Sequence, residues 1–331
     1  MRVPLVLMLS ALVLVGCGAE KVSQYPPAAE PAVSPPLAAP PAGHLVALGG
    51  QPEGVAVDPD TGIVAVALRG PPRIALLNES GATLRDVAVA GAARHLALAG
   101  PGGPLLVPEE SIGRLQAVSL GSGRIVAEVR TGRGPHDAAV LGGSWFVGDE
   151  FANTVSVIRN GVLADTFPVA VQPGGLAAAP GDRVAVVAVR ERVLELYSAS
   201  TFRRVAQVSA GVGPTHLVCS GVPAGGFCYV ADTAGDALLI FALAPALELV
   251  RRLYLPGGPY GIAMDPRRRT LWVTLPGLNQ IVELSARGWS TGVVHRWPTV
   301  AQPNSVAVDR TTGRVFVAGR TSGALQIIDP D

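Results

Sequence analysis

From residue 52 onward the chain alternates short apolar runs with short polar breaks. In the first such stretch, "GVAV", "GIVAVAL", "RIALLN" and "DVAVA" are rich in β-branched residues. They are separated by "DPDTG", "RGPP" and "ESGAT", which carry the Gly, Pro, Asp and Ser of turns. Four strands and three turns are predicted. Little of the chain sustains a 3.6-residue apolar period over the length of a helix, so a mixed α/β fold is not expected.

These runs recur in larger units. "QPEGVAVD", "GPHDAAVL", "QPGGLAAA", "GPTHLVCS", "GPYGIAMD" and "QPNSVAVD" each set Gly or Gln before a proline and then enter an apolar run. The prolines are Pro52, Pro135, Pro173, Pro214, Pro259 and Pro303. "AARHLALA" fills the double gap after Pro52, with Ala93 in the proline position. Steps between successive markers are 41, 42, 38, 41, 45 and 44 residues, the length of a four-stranded propeller blade. The expectation is an all-β, seven-bladed β-propeller. The last unit supplies only "SVAVD", "RVFVAG" and "ALQIID", whereas "HLVAL" at residues 44–48 precedes the first marker without a unit of its own. That N-terminal strand should complete the last blade and close the ring, leaving no open sheet edge.

The residues ahead of the repeats have a different character. Residues 1–16 carry one charge, Arg2, and then "VPLVLMLSALVLVG", which is shorter than the roughly 20 apolar residues of a spanning helix and reads as a signal peptide. Leu14, Val15, Gly16 and Cys17 resemble the lipobox of bacterial lipoproteins. The resemblance implies lipidation of Cys17 and an extracytoplasmic protein anchored to the bacterial cell membrane. Residues 17–42 follow as a tether, in which "YPPAAEPAVSPPLAAPP" is dense in proline and favours an extended polyproline II course. At about 3.1 Å per residue, residues 18–42 could hold the folded part, 43–331, up to roughly 75 Å from the anchor.

Charge excludes one class of partner. The chain has 26 Lys+Arg and 25 Asp+Glu, and Arg2 leaves with the signal peptide, so the remainder is balanced and has no global field to attract nucleic acid. With Cys17 assigned to lipid, Cys219 and Cys228 remain as an even pair in an oxidising compartment. A disulfide between them is expected, and two buried thiols are the alternative.

Stretches such as "WFVGDEFANTVSVIRNG" and "CYVADTAGDALLIFAL" resemble YVTN-type propeller repeats, and the resemblance covers all seven units. It implies the fold and leaves function to the site, because such propellers include ligand-binding, protein-binding and catalytic members. Streptogramin B lyases and propeller lactonases are distant analogues. The lyases are seven-bladed and use magnesium with histidine and glutamate at the channel mouth. This chain departs from that pattern, with mouth histidines in blades 2, 3 and 5 and with Tyr260, Asn304 and Ser305 in later blades.

In a propeller the residues just after each marker ring one mouth of the central channel. Here they supply Glu53, Arg94, His95, His136, Asp137, His216, Tyr260 and Asn304 as candidate ligand-binding residues. Turns between second and third strands should add a second ring on the same face: Arg69, Glu109, Glu110, Asp149, Glu150, Arg190, Asp232 and Arg320. Imidazole and carboxylate are common metal donors, and an open coordination position could activate water. His95, His136, Asp137, Glu109 and Asp149 are therefore the catalytic candidates, and His95, Glu109, His136 and Asp149 the metal-ligand candidates. No tight H-E-x-x-H spacing accompanies them, so no cofactor is expected, with a divalent cation as the alternative. At the opposite end, Arg203, Arg204, Arg251, Arg252, Arg267, Arg268 and Arg269 fall in predicted turns of blades 4 to 6. They form a candidate sector for an anionic polymer, lipid headgroups or an acidic protein surface. Asp58, Asp265 and Asp309 read as Asx-turn residues, and Trp145 and Trp272 as packing between blades. The expected protein is a monomeric, lipid-anchored binding or assembly platform whose channel mouth meets an envelope protein or a small ligand. A metal-assisted lyase or lactonase is the alternative.

Overall fold

The computed structural model describes residues 24–221 and 225–330; the stretch expected to be a signal peptide, residues 1–16, and Cys17 lie outside the described residues. The described chain forms seven four-stranded antiparallel sheets, the blades of a β-propeller. Their inner strands are Pro52–Val57, Ala97–Leu98, Pro135–Leu141, Pro173–Ala179, Pro214–Ser220, Ile262–Asp265 and Pro303–Val308, in blades 1 to 7.

Five inner strands begin on a marker proline, which suits a first position because proline has no N–H to give the ladder. In each of the five the register slips just after it: between Pro52 and Val55, Pro135 and Asp137, Pro173 and Gly175, Pro214 and Leu217, and Pro303 and Ser305. A bulge at this point turns the intervening residues out of the pleat. That is how the sequence releases His136 and His216 from their sheets at the channel.

Both faces of each blade are covered by its neighbours, which explains why the strands read as unbroken apolar runs. Among the described residues an apolar cluster fills each contact between blades. Val187 and Leu194 of blade 4 pack with Val230, Leu239 and Phe241 of blade 5, and Trp272 of blade 6 packs with Val306 and Val317 of blade 7. Trp145 lies in the same kind of cluster between blades 2 and 3. Trp297 stands 5.1 Å from Trp272, His295 lies tilted 4.0 Å from Trp297, and Trp289 meets Phe227 edge-on. Asp58, Asp265 and Asp309 each accept backbone N–H groups two or three residues on, as Asx turns do. Cys219 and Cys228 are direct cross-strand partners in blade 5, with Cα atoms 4.1 Å apart, and are disulfide-bonded.

His44–Ala47 pairs antiparallel with Ala324–Ile328 as the fourth strand of blade 7, closing the ring with the N-terminal strand. What precedes it departs from the sequence expectation. Residues 26–42 do not stand off as a free tether but lie across the mouth face as a strap, so the 75 Å reach does not apply to them. Arg190 Nε donates to Pro26 O, Asn279 Nδ2 to Pro35 O, and Gln326 Nε2 to Ala42 O. Ser34 is the main fixing point: its N–H donates to Gln302 Oε1, its hydroxyl donates to Pro276 O, and that hydroxyl accepts from Gln302 N–H. A proline-rich segment has few backbone donors to satisfy, so it can be held by its carbonyls.

Candidate functional site

The channel mouth is where the sequence placed its candidate ring, and it holds a compact histidine cluster. His95, His136 and His216 come from blades 2, 3 and 5, and their ring centroids lie 4.8, 4.5 and 6.4 Å apart. His216 Nε2 is 2.9 Å from His95 Nε2, and His216 Nδ1 is 3.1 Å from the carbonyl oxygen of Tyr260. The carbonyl can only accept, so His216 carries its proton on Nδ1 and presents the Nε2 lone pair to His95. His136 Nδ1 stands 3.2 Å from Glu150 Oε2, close enough for ion pairing but off the line of a good hydrogen bond. Gln172 Nε2 donates to the other Glu150 oxygen at 2.8 Å.

Burial sets the protonation of the cluster. It lowers His95 well below the ordinary histidine value and His216 to about 3, with the neighbouring imidazoles adding to the effect. Burial opposes the charge of His136 too, but Glu150 overrides it and raises the histidine, while His136 in turn lowers Glu150. Asp137 lies half-buried beneath them, and its desolvation raises it to about 6, although the Leu176 and Ala138 N–H groups donate to it.

A pH dependence follows from His216. Its folded value of about 3 lies below the ordinary histidine value of 6.5, so the unfolded chain binds the extra proton between these values and stability is lost as pH falls. Asp137 acts in the opposite sense below about 6, which is why a difference between variants is the useful quantity. In EDTA-containing buffer, the stability advantage of wild type over His216→Gln should shrink by about 2 kcal/mol between pH 7 and pH 5, measured by urea unfolding. An advantage that does not change with pH would mean that His216 is not held neutral.

The carboxylates do not all meet the histidines. Glu109 and Asp149 are fully buried and turned into the body of their blades. Glu109 accepts the Gly91 N–H, and Asp149 accepts from the Thr154 and Ser156 hydroxyls. Neither reaches the cluster, and this corrects their assignment as catalytic or metal-ligating candidates. The residues that do reach it are Glu110 and Glu150, one position further on, because side chains alternate along a strand end. Glu110 is already engaged by Arg94 at 3.1 Å and Arg69 at 3.2 Å. Glu53 is bound by Asn304 and Arg320. Asn304 is fully buried and accepts from Gln302, while Tyr260 is also buried, so these two serve the wall of the mouth.

The strap roofs this cluster. Ala28, Ala29 and Glu30 line a space of about 20 Å³ together with His136, His216 and Tyr260. Glu30 stands 3.8 Å from Arg94 across the mouth. Gly213 receives Ala29 so closely that a Cβ there would sit 2.8 Å from the alanine methyl. Below the histidines a second cavity of about 180 Å³, bordered by His95, Asp137 and His216, runs into the channel. Beside the mouth, between blades 2 and 3, an open cleft of about 790 Å³ is lined by Arg69, Arg130, Arg133, Ile112 and Phe151.

The arginine sector is more dispersed than its sequence positions suggest. Arg251 and Arg252 lie within the outer strand Glu248–Tyr254, not in a turn, and Arg204 begins the outer strand Arg204–Ser209. Arg204 is paired with Glu195 at 2.8 Å, Arg268 with Asp265 at 2.8 Å, and Arg252 with Asp232 at 3.7 Å. Arg203, Arg267 and Arg269 remain exposed in end turns.

No family model matches this chain, and no curated protein matches it. Solved structures do. A chain of Kuenenia stuttgartiensis hydrazine synthase is 16% identical with a TM-score of 0.72, covering 85% of this chain and 96% of that one. A chain of a mitotic checkpoint complex is 13% identical with a TM-score of 0.75, covering 99% and 98%. A streptogramin B lyase structure is 12% identical with a TM-score of 0.72, covering 86% and 96%. At these identities the likeness is one of fold.

Proposed function

We propose that this chain is a lipid-anchored, extracytoplasmic propeller that serves as a binding platform at the cell envelope, with its channel mouth toward the anchor. The strap carries this reading. If Cys17 is lipidated, only residues 18–25 separate it from Pro26 on the mouth face, a span of at most about 30 Å even when fully extended. The propeller then stands close to the membrane and presents its opposite face and outer rim to partners. The cleft between blades 2 and 3 supplies a contact site at the mouth's edge. Arg130 and Arg133 beside exposed Ile112 and Phe151 suit an anionic, partly apolar ligand or protein patch, while Arg69 at its edge is paired with Glu110. Turnover at the mouth is the less favoured reading, because the strap covers the histidines and Glu53, Glu110 and Glu150 are each engaged by neighbouring side chains.

The test is Cys17→Ser. The wild-type chain should sediment with membranes and enter a detergent phase, and the variant should remain aqueous. Equal partitioning of the two would overturn the anchor and the orientation that depends on it.

A further inference from the structure

We infer that His95, His136 and His216 hold one divalent transition-metal ion, with zinc(II) as the reference ion, at the channel mouth. The argument begins with donor type. Three imidazoles suit zinc, copper or nickel, whereas magnesium and calcium take oxygen donors. The donor atoms of the three side chains all lie within 4.8 Å of one another. Zinc–imidazole bonds of about 2.0–2.1 Å place donors roughly 3.3 Å apart in a tetrahedron. That separation falls between the 2.9 Å of the His95–His216 pair and the 4.8 Å outer limit, so closing the site needs small ring movements.

The second line is orientation. A metal-binding histidine generally donates its other N–H to a carbonyl or carboxylate, which fixes the tautomer and aims the free nitrogen at the metal. His216 has that partner in the Tyr260 carbonyl, and His136 has a carboxylate 3.2 Å from its Nδ1 in Glu150, itself held by Gln172, which needs only a small turn of the ring to accept the N–H. Without a metal, the 2.9 Å contact between two Nε2 atoms needs a proton between them, carried by His95. The metal replaces that proton. The competing group of Glu110, His136 and Glu150 is weaker as a site, because Glu110 is neutralised by two arginines and Glu150 is already bound.

Charge permits the ion as well. Arg94 lines the space beside the cluster, and Glu110 and Glu30 face it. Asp137 and Glu150 add carboxylates on the two sides of the cluster. The 20 Å³ space beneath the strap has room for about one water as a fourth ligand.

The test uses the detergent-solubilised full chain, stripped with EDTA and titrated with zinc against a chromophoric chelator, with cobalt(II) as a visible-absorption probe of coordination. One equivalent should bind. His95→Gln, His136→Gln and His216→Gln should each weaken binding at least 100-fold, and Glu150→Gln should weaken it 10- to 100-fold. The chain has five histidines, and a His44→Gln, His295→Gln variant should bind as wild type does. Near-ultraviolet circular dichroism of each metal-free variant checks the fold. If a cluster histidine variant does not fold, Glu150→Gln and the cobalt spectrum of the wild type decide. The inference fails if the folded wild type takes up no stoichiometric zinc, or if zinc stays tightly bound when the cluster histidines are replaced.

Discussion

Replacing Ser34 with proline should expose the histidine cluster to reagents in solution. The substitution removes the N–H that donates to Gln302 Oε1 and the hydroxyl that joins Pro276 O and Gln302 N–H, three hydrogen bonds in all. At about 1 kcal/mol each, the strap's balance between docked and released shifts by about 3 kcal/mol, on the order of 100-fold. His136 and His216 are only 4% and 7% exposed beneath the strap, so their reaction with diethyl pyrocarbonate requires an opening, and its rate follows the open fraction. Mass-spectrometric mapping should show carbethoxylation of both rising by up to about 100-fold. His44, exposed on the outer strand of blade 7, should react as before. Unchanged rates at the cluster would mean that reagents enter by another route and that the strap is no barrier.

The strap is also where the sequence was least informative. A proline- and alanine-rich segment has the same composition whether it is solvated or docked, since its side chains are too small to form an apolar stripe and its proline carbonyls accept equally from water or protein. The docking partners, Gln302, Asn279 and Gly213, have no local pattern that marks them. The propeller was legible because its signal is repeated: the same proline entry recurs in blade after blade, and it marks the bulge that delivers His136 and His216 to the mouth. The histidine cluster was half legible. The sequence put all three histidines in one ring but paired His95 and His136 with Glu109 and Asp149. The alternation of side chains at the strand end could have separated those residues from Glu110 and Glu150. The predicted turns leave the register of each pair open, so the sequence alone does not say which of the two faces the channel. His216 joins the other two across blade 4, whose mouth positions are Gly174 and Gly175, and only the narrowness of the channel allows that contact.

Gly43→Ala should be among the most destabilising single-methyl changes in the chain, because it strikes the ring closure. Gly43 has φ +69°, and a Cβ there would fall 2.1 Å from the carbonyl oxygen of Ile327. His44 is the residue that pairs with Ile327, so the clash acts at the first rung of the closing strand. Gly49 provides the control: it has nearly the same φ, +68°, and nothing within 4 Å of its added Cβ. Gly49→Ala should therefore cost about 1 kcal/mol, the left-handed backbone penalty alone. Gly43→Ala should cost about 3 kcal/mol or more, because a backbone carbonyl cannot rotate away as a side chain can, and the strand must shift. Losing that strand would uncover Gln326, whose side chain bonds Ala42 O and Pro298 O, and would loosen the cluster that Val46 shares with Phe316 and Leu325. The comparison is made by urea unfolding of the two variants beside wild type. Equal midpoints for the two variants would mean that the N-terminal strand does not close blade 7 in solution, and a midpoint for Gly43→Ala well below that of Gly49→Ala would place the closing contact at Ile327.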